Sequence, residues 1–171
     1  MNAPSRVRPI TPPSDSLIAD WYADADLLDS YAVELPPGSD GSMAALARRA
    51  LGAPPAWLRA LLDLRDAIVG PLGIKTSARL RQARPAAGRI DFFPVLEERA
   101  DEIVLGEDDR HLNFRLSLLR RRHAHGVQVI ATTAVRINNR LGRAYILVIA
   151  PFHHLVVRSS LASLRPARGD D

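Results

Sequence analysis

Hydrophobic and polar positions change their period along the chain, and each change marks an element. "LLDSYAVEL", Leu27 to Leu35, has strand character around Tyr31 and Val33, and the turn-forming "PPGSDGS" stops it. Ser42 then caps a short helix, "MAALARRAL"; "GAPP" ends it, with Pro55 suited to a first helical position. In "AWLRALLDLRDAIVGPLG", Trp57, Leu61, Leu64, Ile68 and Leu72 recur at helical spacing, with Arg59, Asp63 and Asp66 largely on the other side. This predicts an amphipathic helix lying on a core.

Beyond a link rich in proline, arginine and alanine, Arg79 to Gly88, the period shortens to 2. In "HLNFRLSL" Leu112, Phe114, Leu116 and Leu118 alternate with Asn113, Arg115 and Ser117. In "VQVIATTAVRI" Val129, Ala131, Thr133 and Val135 alternate with Gln128, Thr132 and Arg136. These are two half-buried antiparallel strands joined by a polar tip, "RRRHAHG". "DFFPVLEER" and "DEIVLGEDD" are earlier strands of the same meander, with "GEDDR" as a turn between two of them. Leu141 to Leu164 has the length of a long helix, kinked rather than ended by the interior Pro151. The competing local parse is a strand, Ala144 to Ala150, followed by a helix that starts at Pro151.

At about 100° per residue, the two adjacent histidines of "PFHH" separate by face. His153 shares the arc of Ile146, Ile149, Val156, Val157, Ser160 and Leu164 and should face the sheet. His154 falls toward Arg158 and Arg165 and should meet solvent. A buried imidazole needs a hydrogen-bond partner, and desolvation favours its neutral form, which can give or take a proton. The plain expectation for His153 is a core histidine satisfied by a backbone carbonyl, a Tyr or a Thr. The functional alternative is a pocket-facing acid–base group.

The 171 residues suit one well-buried core, read as a single domain over 16–166 between a flexible N-terminal tail, 1–15, and a short C-terminal tail, 167–171. With 47% apolar and 25% charged residues, the composition is that of an ordinary globular protein. The lack of Cys removes disulfides, thiolate nucleophiles and Cys-ligated zinc. "MNAPSRVRPITPPSD" has no apolar core of signal-peptide length. The run Ala144 to Phe152 falls well short of the roughly 20 residues that cross a bilayer. A bacterial-type cytoplasmic protein without membrane contact is expected. The net charge is +4, but 22 of the 23 basic residues are Arg, Lys75 being the exception. That bias fits a GC-rich coding genome as well as it fits a phosphate-binding surface, so no nucleic-acid partner is expected.

"PPAWLRALLDLRDAIVGPLGI", "TTAVRINNRLGRAYILVIAPFHHLVV" and especially the "GRAY…PFH" core resemble bacterial domain-of-unknown-function family 2867, some members of which are fused to short-chain-dehydrogenase-like proteins. The resemblance covers roughly Tyr31 to Leu164, and a basic residue often follows the "PFH" histidine, where this chain has His154. It implies an α+β helix-grip fold, similar to the START and Bet v 1-like (SRPBCC) superfamily. In that fold a curved antiparallel sheet wraps a long C-terminal helix and encloses a cavity, with two shorter helices after the first strand. It implies no catalytic residues. The pattern of early strand, two helices, strand meander and long last helix agrees independently.

His123 and His125 form a His-x-His pair, but no third ligand is specified nearby, so a solvated tip is expected and no metal. "GEDD" lacks the ligand periodicity of a calcium loop. No glycine-rich phosphate loop, nucleophile elbow, H-E-x-x-H or dinucleotide fingerprint occurs, and no cofactor is expected. Tyr145, Thr133 and His153 are polar groups on otherwise apolar inward faces, and Trp57 sits on a helix whose edge can rim a cavity. His153, Tyr145, Thr133 and Trp57 are therefore the ligand-binding candidates. The leading expectation is a module that binds a small apolar or aromatic molecule in a cavity. The alternatives are a small cyclase, dehydratase or isomerase with His153 as general acid or base, and a structural protein or homodimer built on the all-round apolar "AYILVIA".

Overall fold

In the computed structural model, which describes residues 6–39, 41–52, 56, 88–91 and 93–165, the alternating segments pair into one antiparallel sheet. Its strands are β1 (Arg8–Pro9), β2 (Leu27–Leu35), β3 (Arg89–Ile90), β4 (Phe93–Glu98), β5 (Glu102–Asp108), β6 (Leu112–His123) and β7 (Gly126–Ile137). Their order is β1-β2-β7-β6-β5-β4-β3. Strands β3 to β7 pair with their sequence neighbours, as hairpin connections favour. The long-range step sets β2 beside β7, from Leu27↔Val135 to Leu35↔Val127. The α+β architecture expected from the sequence is thus present, with a long C-terminal helix packed on the sheet.

Helix α1 (Met43–Leu51) begins where the Ser42 hydroxyl accepts the Ala45 N–H at 3.1 Å. Helix α2 (Arg140–Ala162) begins where the Asn139 side chain accepts the Gly142 N–H at 3.0 Å. The strand-then-helix parse does not form, because α2 is continuous through Pro151. Proline there withholds the N–H that the Leu147 carbonyl would accept and crowds that carbonyl with its ring. Leu147 is 72% exposed, so water can serve that carbonyl instead. The amphipathic helix predicted from Ala56, with Trp57, falls outside the described residues apart from Ala56 itself.

One face of the sheet carries α1 and α2. Met43 and Leu46 of α1, Val157 and Leu161 of α2, and Leu164 just beyond it join Val33, Leu105, Leu118 and Val129 in the main core. The helix ends are latched together: Arg49 Nη2 donates to the Leu164 carbonyl at 2.8 Å, and the Ser163 hydroxyl donates to the Arg49 carbonyl at 3.0 Å.

Half-buried strands would leave the other face to water, yet β7 is buried along most of its length. The N-terminal segment covers that face as a strap. Ile18 packs with Val104 and Ala134, and Ile10 packs against Ala32, Leu119 and Ile130. A 3-10 helix, Ala19–Asp24, lays Trp21 against Arg115 and Arg136, each guanidinium carbon 4.1 Å from the ring centroid. Within the strap an edge strand forms at Arg8 and Pro9, pairing Arg8 with Ala32 and Pro9 with Tyr31. On an edge, proline's missing N–H costs no ladder bond.

The polar tip is also more ordered than its composition implies. Strands β6 and β7 run into it, leaving only Ala124 and His125 as the turn. Its cations are engaged within the chain. Arg120, 5% exposed, donates to the carbonyls of Gly41 and Ala100 and to Asp101, while Arg121 pairs with Asp15 and Arg122 with Asp101.

Candidate functional site

The period of 2 in β2 puts Asp29, Tyr31, Val33 and Leu35 on one side, and the core shows that Val33 and Leu35 meet the helices there. Helix α2 returns to the same side through His153, Val157 and Leu161. The polar members of the two rows meet. His153 Nε2 lies 3.1 Å from Asp29 Oδ2 and 3.3 Å from Oδ1, with 21% and 25% of the two side chains exposed. His153 therefore faces the sheet as predicted and His154 is exposed. The partner is a carboxylate rather than the carbonyl, Tyr or Thr expected.

Directly across the ladder from Asp29 stands Thr133, which places their Cβ atoms about 4.5–5.5 Å apart. Thr133 is 6% exposed, and its Oγ1 is buried with no hydrogen-bond partner among the described residues. Tyr31 lies two residues along β2 from Asp29, opposite Ala131. Burial pushes its phenol up and the Asp29 charge adds to this, while Arg158 acts the other way. Asp29, Tyr31, Thr133 and His153 thus form one half-open group between β2, β7 and α2.

Tyr145 is eight residues before His153. It sits about 12 Å away along the helix axis and about 80° round it, away from the Asp29 pair. Trp57 lies outside the described residues. Asp29 was missed by sequence reasoning, although the signal was present: it is the one acid on the strand face that also carries Tyr31, Val33 and Leu35.

The start of α2 fixes where His153 falls. The Asn139 amide donates to the Arg110 carbonyl at 3.0 Å, and that of Asn138 donates to the Asp109 carbonyl at 2.7 Å, tying the helix to the β5–β6 turn. Gly142 permits this approach, since a Cβ there would stand 2.0 Å from the His111 carbonyl oxygen. "NNRLG", residues 138–142, is thus the helix anchor.

Chemically, Asp29 can orient the imidazole by accepting from Nε2, which leaves Nδ1 as the nitrogen available to a ligand. His123 and His125 are not arranged as a metal pair: His123 Nε2 meets Glu34 Oε2 at 3.0 Å, and its Nδ1 accepts the His125 N–H at 3.3 Å. Burial pushes the Glu34 carboxyl up, but hydrogen bonds from Gln128 and His123 and the charges of His123 and Arg8 outweigh it, and the net shift is downward. Among the described residues no group of three or more His, Cys, Asp or Glu could hold a metal ion.

The strap side of the sheet holds a second polar group. Glu102, 5% exposed, accepts from the Ser16 and Ser117 hydroxyls, each at 2.6 Å, and from the Leu17 N–H at 3.0 Å. Beside it Ser30 and Thr132 share a hydrogen bond of 2.6 Å. All of these are satisfied, so they read as a clasp for the strap.

No curated protein and no solved structure matches this chain. Residues 21–160, from Trp21 on the strap to the last turns of α2, match the model of the proteins of unknown function DUF2867, and the chain belongs to that family.

Proposed function

We propose that this protein is a helix-grip binding module that takes a small, mostly apolar or aromatic molecule between its sheet and α2, with Asp29, His153 and Thr133 orienting the polar end. One observation carries the reading: the Thr133 hydroxyl, buried without a partner among the described residues, on the sheet face toward α2 and across the ladder from Asp29. A buried hydroxyl without a partner costs about 1–3 kcal/mol. A bound group that donates or accepts there would remove that cost. Ala131 and Val135, two residues either side on the same strand face, suit the apolar remainder of the ligand. The test is mass spectrometry of an organic extract from natively purified protein, beside a mock purification and the Thr133→Val variant. A molecule specific to the protein and depleted in the variant supports the reading. An extract matching the mock, together with no thermal shift across a panel of aromatic and fatty compounds, removes it.

A second reading, an isomerase, dehydratase or cyclase in which His153 moves a proton, is favoured by Asp29 alone. A carboxylate holding one imidazole nitrogen leaves the other to act as base or acid. A folded His153→Ala protein that kept whatever activity is found would exclude it.

A further inference from the structure

Helix α2 has a second face. Taking His153 as the direction of the sheet, Ala144, Leu147, Val148, Pro151, Phe152 and Leu155 cluster around the opposite side at about 100° per residue. Leu147, Val148, Phe152 and Leu155 are exposed by 72%, 55%, 43% and 45%. "AYILVIA", apolar all round, therefore presents an open apolar stripe. By length and composition α2 could cross a membrane, with mean hydropathy 1.3 and 11% of that stretch buried. Spanning is opposed by its second half, where Val157 and Leu161 are built into the core. Arg143 and His154 stand along one edge of the stripe, with Arg140 and Arg158 at its two ends, all exposed. None of the three arginines pairs with a carboxylate among the described residues, and α2 contains no Asp or Glu.

We propose that this stripe docks on an anionic lipid bilayer, with α2 lying in the plane of the headgroups. The charge pattern chooses the occupant. A second copy docked helix to helix would set arginine against arginine with no acid to offset them. A protein partner would need a groove shaped to this convex ridge. A bilayer interface accepts any such ridge, taking the apolar side chains below the headgroups while the arginines reach phosphates at the edge. The chain's net charge of +4 acts in the same direction. The stripe points away from His153, so the proposal does not depend on the binding site above.

The experiment is flotation of the full chain with vesicles of phosphatidylglycerol and phosphatidylcholine, against vesicles of phosphatidylcholine alone. The protein should float with the anionic vesicles and not with the neutral ones. Arg140→Gln with Arg143→Gln should weaken partitioning roughly 30-fold at low salt. Leu147→Ser with Phe152→Ser should abolish it. Because these side chains are exposed, both double variants should keep the wild-type circular dichroism spectrum. Failure to float with anionic vesicles, or binding that neither variant changes, would overturn the proposal. So would a dimer by light scattering that Leu147→Ser with Phe152→Ser dissolves, which would give the stripe to a second copy.

Discussion

The two faces of the sheet treat buried polar groups in opposite ways. Under the N-terminal strap, Glu102 is met by Ser16, Ser117 and the Leu17 N–H, and Ser30 and Thr132 meet each other. Toward α2, the Thr133 hydroxyl has no partner among the described residues, and the Asp29–His153 pair beside it stays partly open to solvent. A closed polar network rigidifies the fold that contains it, whereas an open one retains hydrogen-bonding capacity for something else. Composition alone does not separate the faces, since each group is built around a threonine and one acid. What differs is whether the chain itself completes the network.

The largest expected effect is on the closed side. Glu102→Ala leaves two buried hydroxyls and a backbone N–H without their acceptor and should destabilise the fold by about 3 kcal/mol or more in urea unfolding. A loss below about 1 kcal/mol would mean that the clasp is not structural, and the contrast between the faces would fail.

Next come two adjacent threonines whose side chains point to opposite faces. Thr132→Val removes the bond to Ser30, which is 3% exposed, and should cost about 1–3 kcal/mol. Thr133→Val removes a hydroxyl without a partner among the described residues and should stabilise by about 1–2 kcal/mol, seen as a higher denaturant midpoint at unchanged slope. If Thr133→Val also loses a co-purifying molecule, stability and binding trade against each other at one oxygen. Equal effects from the two substitutions would erase the distinction.

Much of this architecture was legible from local signals. Ser42, the length of "MAALARRAL", the alternation in β6 and β7 and the arc of His153 each depend on neighbours within a few residues, and each element formed where its pattern lay. The strap was not legible, because Ser117 and Thr132 are the polar side of half-buried strands until Ser16 and Glu102 arrive from distant parts of the chain. The arginine-rich tip misled for the same reason: the partners of Arg120, Arg121 and Arg122 lie in other elements. Of the candidate site, His153 and Thr133 could be read from period alone. Asp29 left a trace there, as the one acid on its strand face, but that acid acquires a role only once α2 supplies the imidazole.

The smallest expected effect tests whether the faces are electrically separate. Tyr31, on the α2 side, has its phenol raised by burial and then by Asp29, with Arg158 opposing. Tyr22, on the strap, is raised by burial, with hydrogen bonds to Ser16 and Thr132 opposing and the charges of Glu102 and Asp15 adding. A tyrosine raised in the folded state contributes stability that is complete below its unfolded value of about 10 and is lost as pH rises through the folded value. Asp29→Asn removes one of the causes at Tyr31, so Tyr31 should titrate lower while Tyr22 does not move. Glu102→Gln should do the converse. Ultraviolet difference titration in Tyr22→Phe and Tyr31→Phe backgrounds assigns each midpoint. If Asp29→Asn shifts both tyrosines, charge on one face is felt through the sheet on the other, and the strap and the candidate site must be treated as one network.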